Sequence, residues 1–426
     1  MLIEFTLGNY LSFQEKETFS LVATDLKGNQ ENIMEIEDGF SLLKTAGIYG
    51  ANASGKSNIL HAINFVGRFI INSFKNTQEG DSIGVLPFKL DEVSDKNPSF
   101  FEIVFLMNDQ LVKFGFEATM EKVCREWLYI DEEEIYFRTE QTYTSQVFSN
   151  DSSIEVKWEM TRDNVLFLSV LASTNTDFAK KIVNYFNVKV NVISGLHLKH
   201  ARYSKKLLKE QDLLADDMVA FLKQLDVNIQ GLEIEQRRYN ILDTEGVDIP
   251  ESVKNMIELD EMEIMTKHNV YNQIGEIVSH LHFPASELES NGTNQLIALS
   301  GPIAHTLENG GVLLIDEMDA QLHPLLSKSI IQLFNSRETN KKNAQLIITT
   351  HNIANLSHDL FRRDQIWFVE KDLKERSHLV SLVEYQLETN QYTAAQDYSE
   401  DYLKGKYGAI PILSHEIRVL EAERLE

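Results

Sequence analysis

The feature that most constrains the fold of this 426-residue chain is the run G-A-N-A-S-G-K-S at residues 50–57. It matches the pattern G-x-x-x-x-G-K-[ST] in full. A strand-like run, residues 45–49, precedes it, and apolar residues at near-helical spacing follow from about Ser57 to Ser73. In such an arrangement glycines let backbone N–H groups curl around phosphates, and the positive end of the helix attracts them. The run therefore predicts a loop that binds the phosphates of a nucleotide.

The side chains of this loop predict ATP and Mg²⁺ as ligands. Lys56 is expected to place its ammonium on the β- and γ-phosphates, and Ser57 to offer its hydroxyl to Mg²⁺. The residues predicted to contact the nucleotide are Gly50, Asn52, Ser54, Gly55, Lys56, Ser57 and Asn58.

A second motif ends in two carboxylates. Residues 312–315 are four apolar residues typical of a buried strand in a parallel sheet, and Asp316 and Glu317 follow them. Open α/β sheets bind ligands at the carboxyl ends of their strands. Asp316 is therefore predicted to hold Mg²⁺, through water, and Glu317 to act as the general base that polarises the attacking water.

Two histidines are candidates for a role in catalysis. His351 follows the apolar run 345–348, where its side chain can reach the γ-phosphate or the attacking water, and it is predicted to be catalytic together with Glu317 and Lys56. His323 precedes Pro324 at the start of a predicted helix, and for this pair we favour a cap over a metal or catalytic role.

The chain after Gly292 alternates between helix and strand, which predicts an α/β fold with a mainly parallel sheet. The predicted elements are a helix to about residue 307, strand 312–316, helix 325–335, and strands 345–350 and 365–370.

The middle of the chain predicts a large insertion between the two nucleotide motifs. Residues 85–170 look mostly extended, with a hairpin turn at Asn108-Asp109, and residues 177–225 look helical. The predicted divisions are 1–175 for the N-terminal ATPase lobe with its β-rich insertion, 176–290 for a helical and mixed lobe, 291–400 for the C-terminal ATPase half, and 401–426 for a helical tail.

The composition of the chain restricts the classes of partner and the cellular compartment that we expect for it. The formal net charge is −25, from 65 acidic and 40 basic residues, which argues against autonomous, tight DNA binding although a local contact stays open. Cys124 is the sole cysteine, which fits a reducing cytoplasm. No apolar run is long enough to span a bilayer, so no membrane partner is required.

Several motifs together resemble known families. They lie at residues 9–13 (NYLSF), 55–58 (GKSN), 289–293 (ESNGT), 315–319 (IDEMD), 322–324 (LHP), 349–351 (TTH), 363–367 (RDQIW) and 402–411 (YLKGKYGAIP). Across nearly its whole length the chain resembles the ABC-like ATPase heads of the SMC, RecF and RecN group. It resembles more closely the prokaryotic AAA-type ATP-binding proteins of phage defence: RloA- and AbiL-like proteins, the ATPase half of the overcoming-lysogenization-defect nucleases, and the ATPases of PARIS and retron systems.

The resemblance implies an ABC/SMC-like P-loop head that is completed by a second subunit. In such heads a signature Ser and Gly bind the γ-phosphate held by the partner, and here these are Ser290 and Gly292. Asp319 would be the D-loop aspartate at the dimer seam, and His351 the switch histidine. The signature lacks the second glycine and the glutamine found in transporters. Gln78 and Gln110 are candidates for a Q-loop glutamine, and neither lies in a motif that identifies one.

The function implied by the resemblance is an ATPase, acting as a homodimer or larger oligomer, that controls a separately encoded effector such as a nuclease or toxin in anti-phage defence. No intrinsic nuclease activity is expected, since residues 371–426 lack the acidic pattern of the related nucleases. One alternative is a RecF/SMC-like ATPase for DNA repair or chromosome handling. Another is a scaffold in which ATP joins subunits without turnover.

Overall fold

The computed structural model describes residues 1–36, 39–148, 152–193, 198–210, 214–225, 227, 229–236, 258–320, 322–385 and 398–410. The strands are β1 (Leu2–Gly8), β2 (Glu17–Ser20), β3 (Ile33–Glu35), β4 (Ser41–Leu43), β5 (Thr45–Tyr49), β6 (Ser99–Met107), β7 (Gln110–Ala118), β8 (Val123–Ile130), β9 (Glu133–Thr139), β10 (Tyr143–Thr144), β11 (Val190–Ile193), β12 (Gly231–Gln236), β13 (Met262–Tyr271), β14 (Ile277–Pro284), β15 (Val312–Ile315), β16 (Gln345–Thr349), β17 (Ile366–Lys371) and β18 (Ser377–Ser381).

The longer helices flank these strands and agree with most of the predicted ones. They are Lys56–Asn76, Asp177–Lys189, Leu198–Lys209, Leu214–Gln224, Asn291–Asn309 and Pro324–Asn335. Shorter helices are Ser153–Glu159, Phe167–Ser173, Ala285–Leu288 and Tyr398–Leu403. None of the helices in these ranges is both long enough and apolar enough to cross a bilayer.

A six-stranded sheet carries the predicted loop and the acidic motif. Its order is β11-β15-β16-β5-β17-β18, and every neighbouring pair is parallel except β17 with β18. All four residues of β15 and all five of β5 are buried, as expected for central strands covered on both faces. The predicted α/β fold with a mainly parallel sheet is confirmed.

The β-rich part forms a seven-stranded sheet in the order β10-β9-β8-β7-β6-β1-β2, with antiparallel pairing throughout. The predicted hairpin is β6–β7, and its turn residues Asn108 and Asp109 have φ values of 52° and 62°. The helix Lys56–Asn76 packs between this sheet and the parallel sheet, because its buried residues, such as Ile63, belong to one hydrophobic cluster with residues of both.

Two predictions for the middle of the chain hold only in part. The stretch 85–170 is not extended to its end, because residues 153–159 and 167–173 are helical. A carboxylate distant in the chain explains the second of these helices: Glu126 accepts hydrogen bonds from the backbone N–H groups of Phe167 at 2.7 Å and Leu168 at 2.9 Å. The stretch 177–225 is not wholly helical, because β11 interrupts it and pairs with β15 at the edge of the parallel sheet.

The remaining elements include a third sheet, β12-β13-β14, next to the helices of the middle region. Of the predicted helical tail, residues 411–426 lie outside the described residues. The division of the chain into lobes stays a prediction.

Candidate functional site

The loop predicted to bind phosphates has, at Gly55, a backbone conformation that only glycine allows. β5 ends at Tyr49 and the helix begins at Lys56, with Gly55 as its N-cap at a φ of 109°. A Cβ atom added to Gly55 would overlap the hydroxyl oxygens of Ser12 and Ser377. Gly55 is therefore required for two reasons. A side chain would not fit at this position, and residues with a side chain rarely adopt this backbone conformation.

Lys56 is held inside the loop. Its Nζ donates hydrogen bonds to the carbonyl oxygens of Gly50 and Ala51, both at 2.8 Å, and the residue is only 5% exposed. Burial lowers the pKa of the Lys56 ammonium to about 8, and nearby carboxylates, Glu317 foremost, oppose that shift. An anion such as a phosphate would relieve this unfavourable burial of positive charge.

Asp316 joins the acidic motif to the loop. Its Oδ1 accepts a hydrogen bond from Ser57 Oγ at 2.8 Å and another from Thr349 Oγ1 at 2.5 Å. Ser57 and Asp316 are 259 residues apart in the chain. They meet because β5 and β15 both flank β16, so their carboxyl ends lie at the same edge of the sheet.

Glu317 sits in a strained turn directly after β15. Its φ is 50°, a left-handed conformation that costs a non-glycine residue ~1–2 kcal/mol. The turn is held by the backbone N–H of Glu317, which donates to Thr349 Oγ1 at 2.7 Å. Glu317 is exposed, so water can reach its carboxylate.

His351 and Asp319 lie together beside these groups. The backbone N–H of His351 donates to both carboxylate oxygens of Asp319, at 3.2 and 3.3 Å. Burial lowers the pKa of the His351 imidazole, the Lys56 charge lowers it further, and the three nearby carboxylates oppose the shift. The lowered pKa favours the neutral imidazole of His351, which can donate one N–H to a phosphate oxygen.

A pair of hydrogen-bonded hydroxyls, Ser12 and Ser377, next to the loop was not predicted. Ser377 Oγ donates to the carbonyl oxygen of Ser54 at 2.6 Å and lies 2.6 Å from Ser12 Oγ, which accepts from Asn58 Nδ2 at 2.7 Å. The motif at residues 9–13 pointed to Ser12, whereas Ser377 stands in no motif. Ser54 Oγ is buried without a partner, and Asn52 is exposed.

The signature residues lie elsewhere on the chain. Ser290 is the N-cap of the helix Asn291–Asn309, with its Oγ accepting from Thr293 N–H at 3.1 Å. Ser290 and Gly292 line an open pocket whose lining includes none of residues 50–58, and no hydrogen bond found in the described part of the chain joins either of them to that loop. The structure thus brings Lys56, Ser57 and the acidic motif together, and leaves the signature apart.

Other candidates are structural. His323 caps the helix Pro324–Asn335, its Nδ1 accepting from Leu325 N–H at 3.2 Å, which confirms the favoured interpretation. Gln78 and Gln110, the two glutamines considered for a Q-loop, hydrogen-bond to Asp81 and Asp131 near turns of the β-rich part.

Sequence comparison assigns the family. The model of the family described as "AAA domain, putative AbiEii toxin, Type IV TA system" matches residues 46–357, a span that contains the loop, the acidic motif and His351. The chain belongs to this family. It is thereby a member of the AAA-type P-loop ATPases, and the predicted nucleotide-binding class is confirmed. No curated protein sequence matches the chain significantly.

Among solved structures, the chain is similar to the SMC head domain from Thermotoga maritima, with 14% identity, a TM-score of 0.42 and coverage of 91% of this chain and 99% of that one. It is also similar to a structure of the SmcHead bound to the C-winged helix domain of ScpA, with 15% identity, a TM-score of 0.41 and coverage of 91% and 98%. These scores are low, so the likeness carries no conclusion about function.

Proposed function

We propose that this protein binds ATP with Mg²⁺ and hydrolyses it. The hydrogen bond between Ser57 Oγ and Asp316 Oδ1, 2.8 Å long, is the observation that carries the proposal. It places the hydroxyl of the phosphate-binding loop and the carboxylate of the acidic strand within reach of one cation. The buried Lys56 ammonium beside them supplies the positive charge that a triphosphate needs.

The donor set suits Mg²⁺. This ion takes oxygen ligands, keeps several waters, and is bound in nucleotide sites by one or two protein oxygens together with phosphate oxygens. Ser57 Oγ and Asp316 Oδ1 are such oxygens, and the hydrogen bond between them marks the space that the ion would share. When bound, Mg²⁺ would neutralise negative charge on the phosphates.

The chain's own side chains divide the remaining tasks. Glu317, exposed in its strained turn, accepts a proton from the attacking water. Neutral His351 donates a hydrogen bond toward the γ-phosphate, and Lys56 stabilises charge on the β- and γ-phosphates. Residues 50–55 hold the phosphates with backbone N–H groups.

The site is completed by a second chain in this proposal. Ser290 and Gly292 lie at the N-terminus of a helix, which attracts anions, yet no hydrogen bond among the described residues joins them to the loop of their own chain. We place them on the γ-phosphate bound by a partner in a head-to-tail dimer. Asp319, next to His351, would then lie at the seam between the subunits.

Glu317→Gln tests both hydrolysis and dimerisation. It keeps the shape of the side chain and removes the base, so we expect kcat to fall by about 10²–10⁴-fold while ATP is still bound. The variant should accumulate as an ATP-bound dimer in size-exclusion chromatography with light scattering. Equal turnover in wild type and variant would favour the scaffold in which ATP only joins subunits.

We further propose that ATP turnover controls a separately encoded effector, such as a nuclease or toxin, in anti-phage defence. The family's description names a type IV toxin–antitoxin system, which supports action together with a separately encoded partner, and the resemblance to phage-defence ATPases supports the anti-phage role. This role is tested by counting phage plaques on cells that carry the gene for this protein together with the adjacent gene. The control cells carry the same two genes with Lys56→Ala. Equal counts in both would contradict the role, and DNA cleavage by the purified chain with Mg²⁺ alone would contradict a separate effector.

A further inference from the structure

A largely buried carboxylate lies directly before the signature residue Ser290. The Glu289 side chain is 14% exposed, and its Oε1 accepts a hydrogen bond from Thr266 Oγ1 at 2.8 Å and lies 2.9 Å from His268 Nε2. An ionised carboxylate only accepts hydrogen bonds, so the His268 ring donates. Both partners belong to β13, the middle strand of the third sheet. Glu289 therefore joins the start of the signature to that sheet.

The backbone around Ser290 is held by residues of its own helix. Asn294 Nδ2 donates to the carbonyl oxygens of Ala285 at 2.9 Å and of Glu289 and Ser290, both at 3.2 Å. Ser290 Oγ accepts from the backbone N–H of Thr293 at 3.1 Å. The orientation of Ser290 therefore depends on these contacts within the helix and on the contact of Glu289 with β13.

The contact with β13 also keeps a negative charge out of the pocket at the signature. Ser290 and Gly292 are among the residues that line this pocket, and Glu289 is not one of them. The N-terminus of a helix attracts anions, and a carboxylate that turned toward it would repel a phosphate that binds there. The hydrogen bonds from Thr266 and His268 hold the carboxylate at the sheet instead.

We propose that Thr266 and His268 are positioning residues for the ATP site of the partner chain. Through Glu289 they hold Ser290 in the orientation that reaches the γ-phosphate bound by the partner, and they keep the carboxylate away from that phosphate. This inference rests on the proposed head-to-tail dimer. It extends the site from the signature to β13, which contains none of the motifs found in the sequence.

The first test follows ATP-dependent dimerisation of the full-length Glu317→Gln chain by light scattering over a concentration series. In this background Thr266→Val keeps the shape of the side chain and removes the hydroxyl that donates to Glu289. The Kd of the dimer should therefore rise at least about tenfold. Thr266→Ser restores a hydroxyl and should restore most of the affinity between the chains. ATP affinity of the dilute, monomeric chain should not change, because Lys56 and Asp316 lie in other elements.

Two histidines of the third sheet provide a matched comparison. His268 contacts Glu289, whereas His282 Nε2 lies 3.2 Å from Oε1 of Glu233, which belongs to β12. His268→Ala should weaken the dimer as Thr266→Val does, and His282→Ala should not. Equal weakening by the two alanines would contradict the inference, because it would show a general effect of the sheet.

A double-mutant cycle with Ser290→Ala shows whether the effect passes through Ser290. Ser290→Ala alone should weaken the dimer, and Thr266→Val should then cost clearly less than it does alone, since residues that act through one another are not additive. Costs that add in full, or a Thr266→Val dimer as tight as its parent, would overturn the inference and leave the proposed function intact. A Glu317→Gln chain that forms no dimer with ATP, or a dimer unaffected by Ser290→Ala, would contradict the proposed dimer and the inference with it.

Hydrogen exchange tests the contact without nucleotide and without a dimer. In the nucleotide-free full chain, Thr266→Val and His268→Ala should speed exchange of the backbone amides of residues 286–296, because Glu289 then holds this segment to β13 less firmly. His282→Ala should leave that exchange unchanged. Unchanged exchange in the first two variants would overturn the positioning role, whatever the proposed dimer does.

Discussion

Lys56 makes nucleotide binding dependent on pH. Its pKa in the nucleotide-free protein is lowered to about 8, and ATP requires the charged form. We therefore expect ATP affinity to be nearly constant below pH 8 and to fall by up to about tenfold per pH unit above it. Calorimetry at pH 7, 8 and 9 should also detect proton uptake on binding above pH 8. Lys56→Met should bind weakly and without this dependence.

The lowered pKa of Lys56 affects stability in the opposite direction to ATP affinity as the pH rises. The unfolded lysine has the ordinary pKa of 10.5, so it binds more protons than the folded one between about pH 8 and 10.5. The contribution of this group to the free energy of unfolding therefore rises with pH across that window. A loss of ATP affinity at pH 9 therefore cannot be caused by Lys56 destabilising the folded protein, because its contribution to stability increases there. Affinity equal at pH 7 and 9 would contradict the shifted pKa.

Sequence alone identifies the residues that we propose to react, and it identifies less well the residues that position them. Lys56 and Asp316 belong to motifs whose spacing reflects chemistry, so their proximity could be predicted. Ser377 supports the loop through one hydroxyl on a short strand, and nothing in its sequence context distinguishes it from other serines. Thr349 stands out in the sequence only as part of the motif that ends at His351. In the structure its hydroxyl donates a hydrogen bond to the Asp316 carboxylate and accepts one from the backbone N–H of Glu317.

At the scale of elements, a buried ion pair connects the antiparallel sheet to a helix. Glu126 of β8 and Arg138 of β9 are both buried, with Nη1 and Oε2 3.1 Å apart, and Glu126 also caps the helix Phe167–Ser173. Glu126→Gln should destabilise the protein by ~3–5 kcal/mol, because it leaves the Arg138 charge buried without a counter-charge. Urea unfolding measures this loss.

The exposed pair Lys122–Glu140 provides the matched control. Because water screens this pair, Glu140→Gln should lower the free energy of unfolding far less than Glu126→Gln does. Equal effects of the two substitutions would show that the buried pair does not stabilise the contact between the sheet and the helix.

The elements that sequence patterns predict well are those with local signals. β15 and the helix Lys56–Asn76 follow from an apolar run and from helical spacing. The helix Phe167–Ser173 was missed because its cap, Glu126, is about forty residues away in the chain. β11 was missed because four residues directly after a helix carry little strand signal. Its partner β15 lies more than a hundred residues further on.

At the scale of the whole molecule, the net charge of −25 bears on the RecF/SMC-like alternative. A chain this acidic should bind duplex DNA weakly, whatever nucleotide is present. We expect no shift in a gel assay at about 200 mM salt, near physiological ionic strength. ATP-dependent binding that is tight at low salt and falls steeply as salt increases would favour the alternative over control of a separate effector.

The central claim is that the loop at residues 50–57 and the carboxylate of Asp316 form one Mg²⁺–ATP pocket. Calorimetric titration of ATP, with Mg²⁺ and with a chelator, into wild type and Asp316→Asn tests it most directly. We predict that wild type binds ATP more tightly with Mg²⁺, and that Asp316→Asn loses most of this gain while keeping its affinity in the chelator. No ATP binding by wild type, or the same gain from Mg²⁺ in both proteins, would contradict the claim.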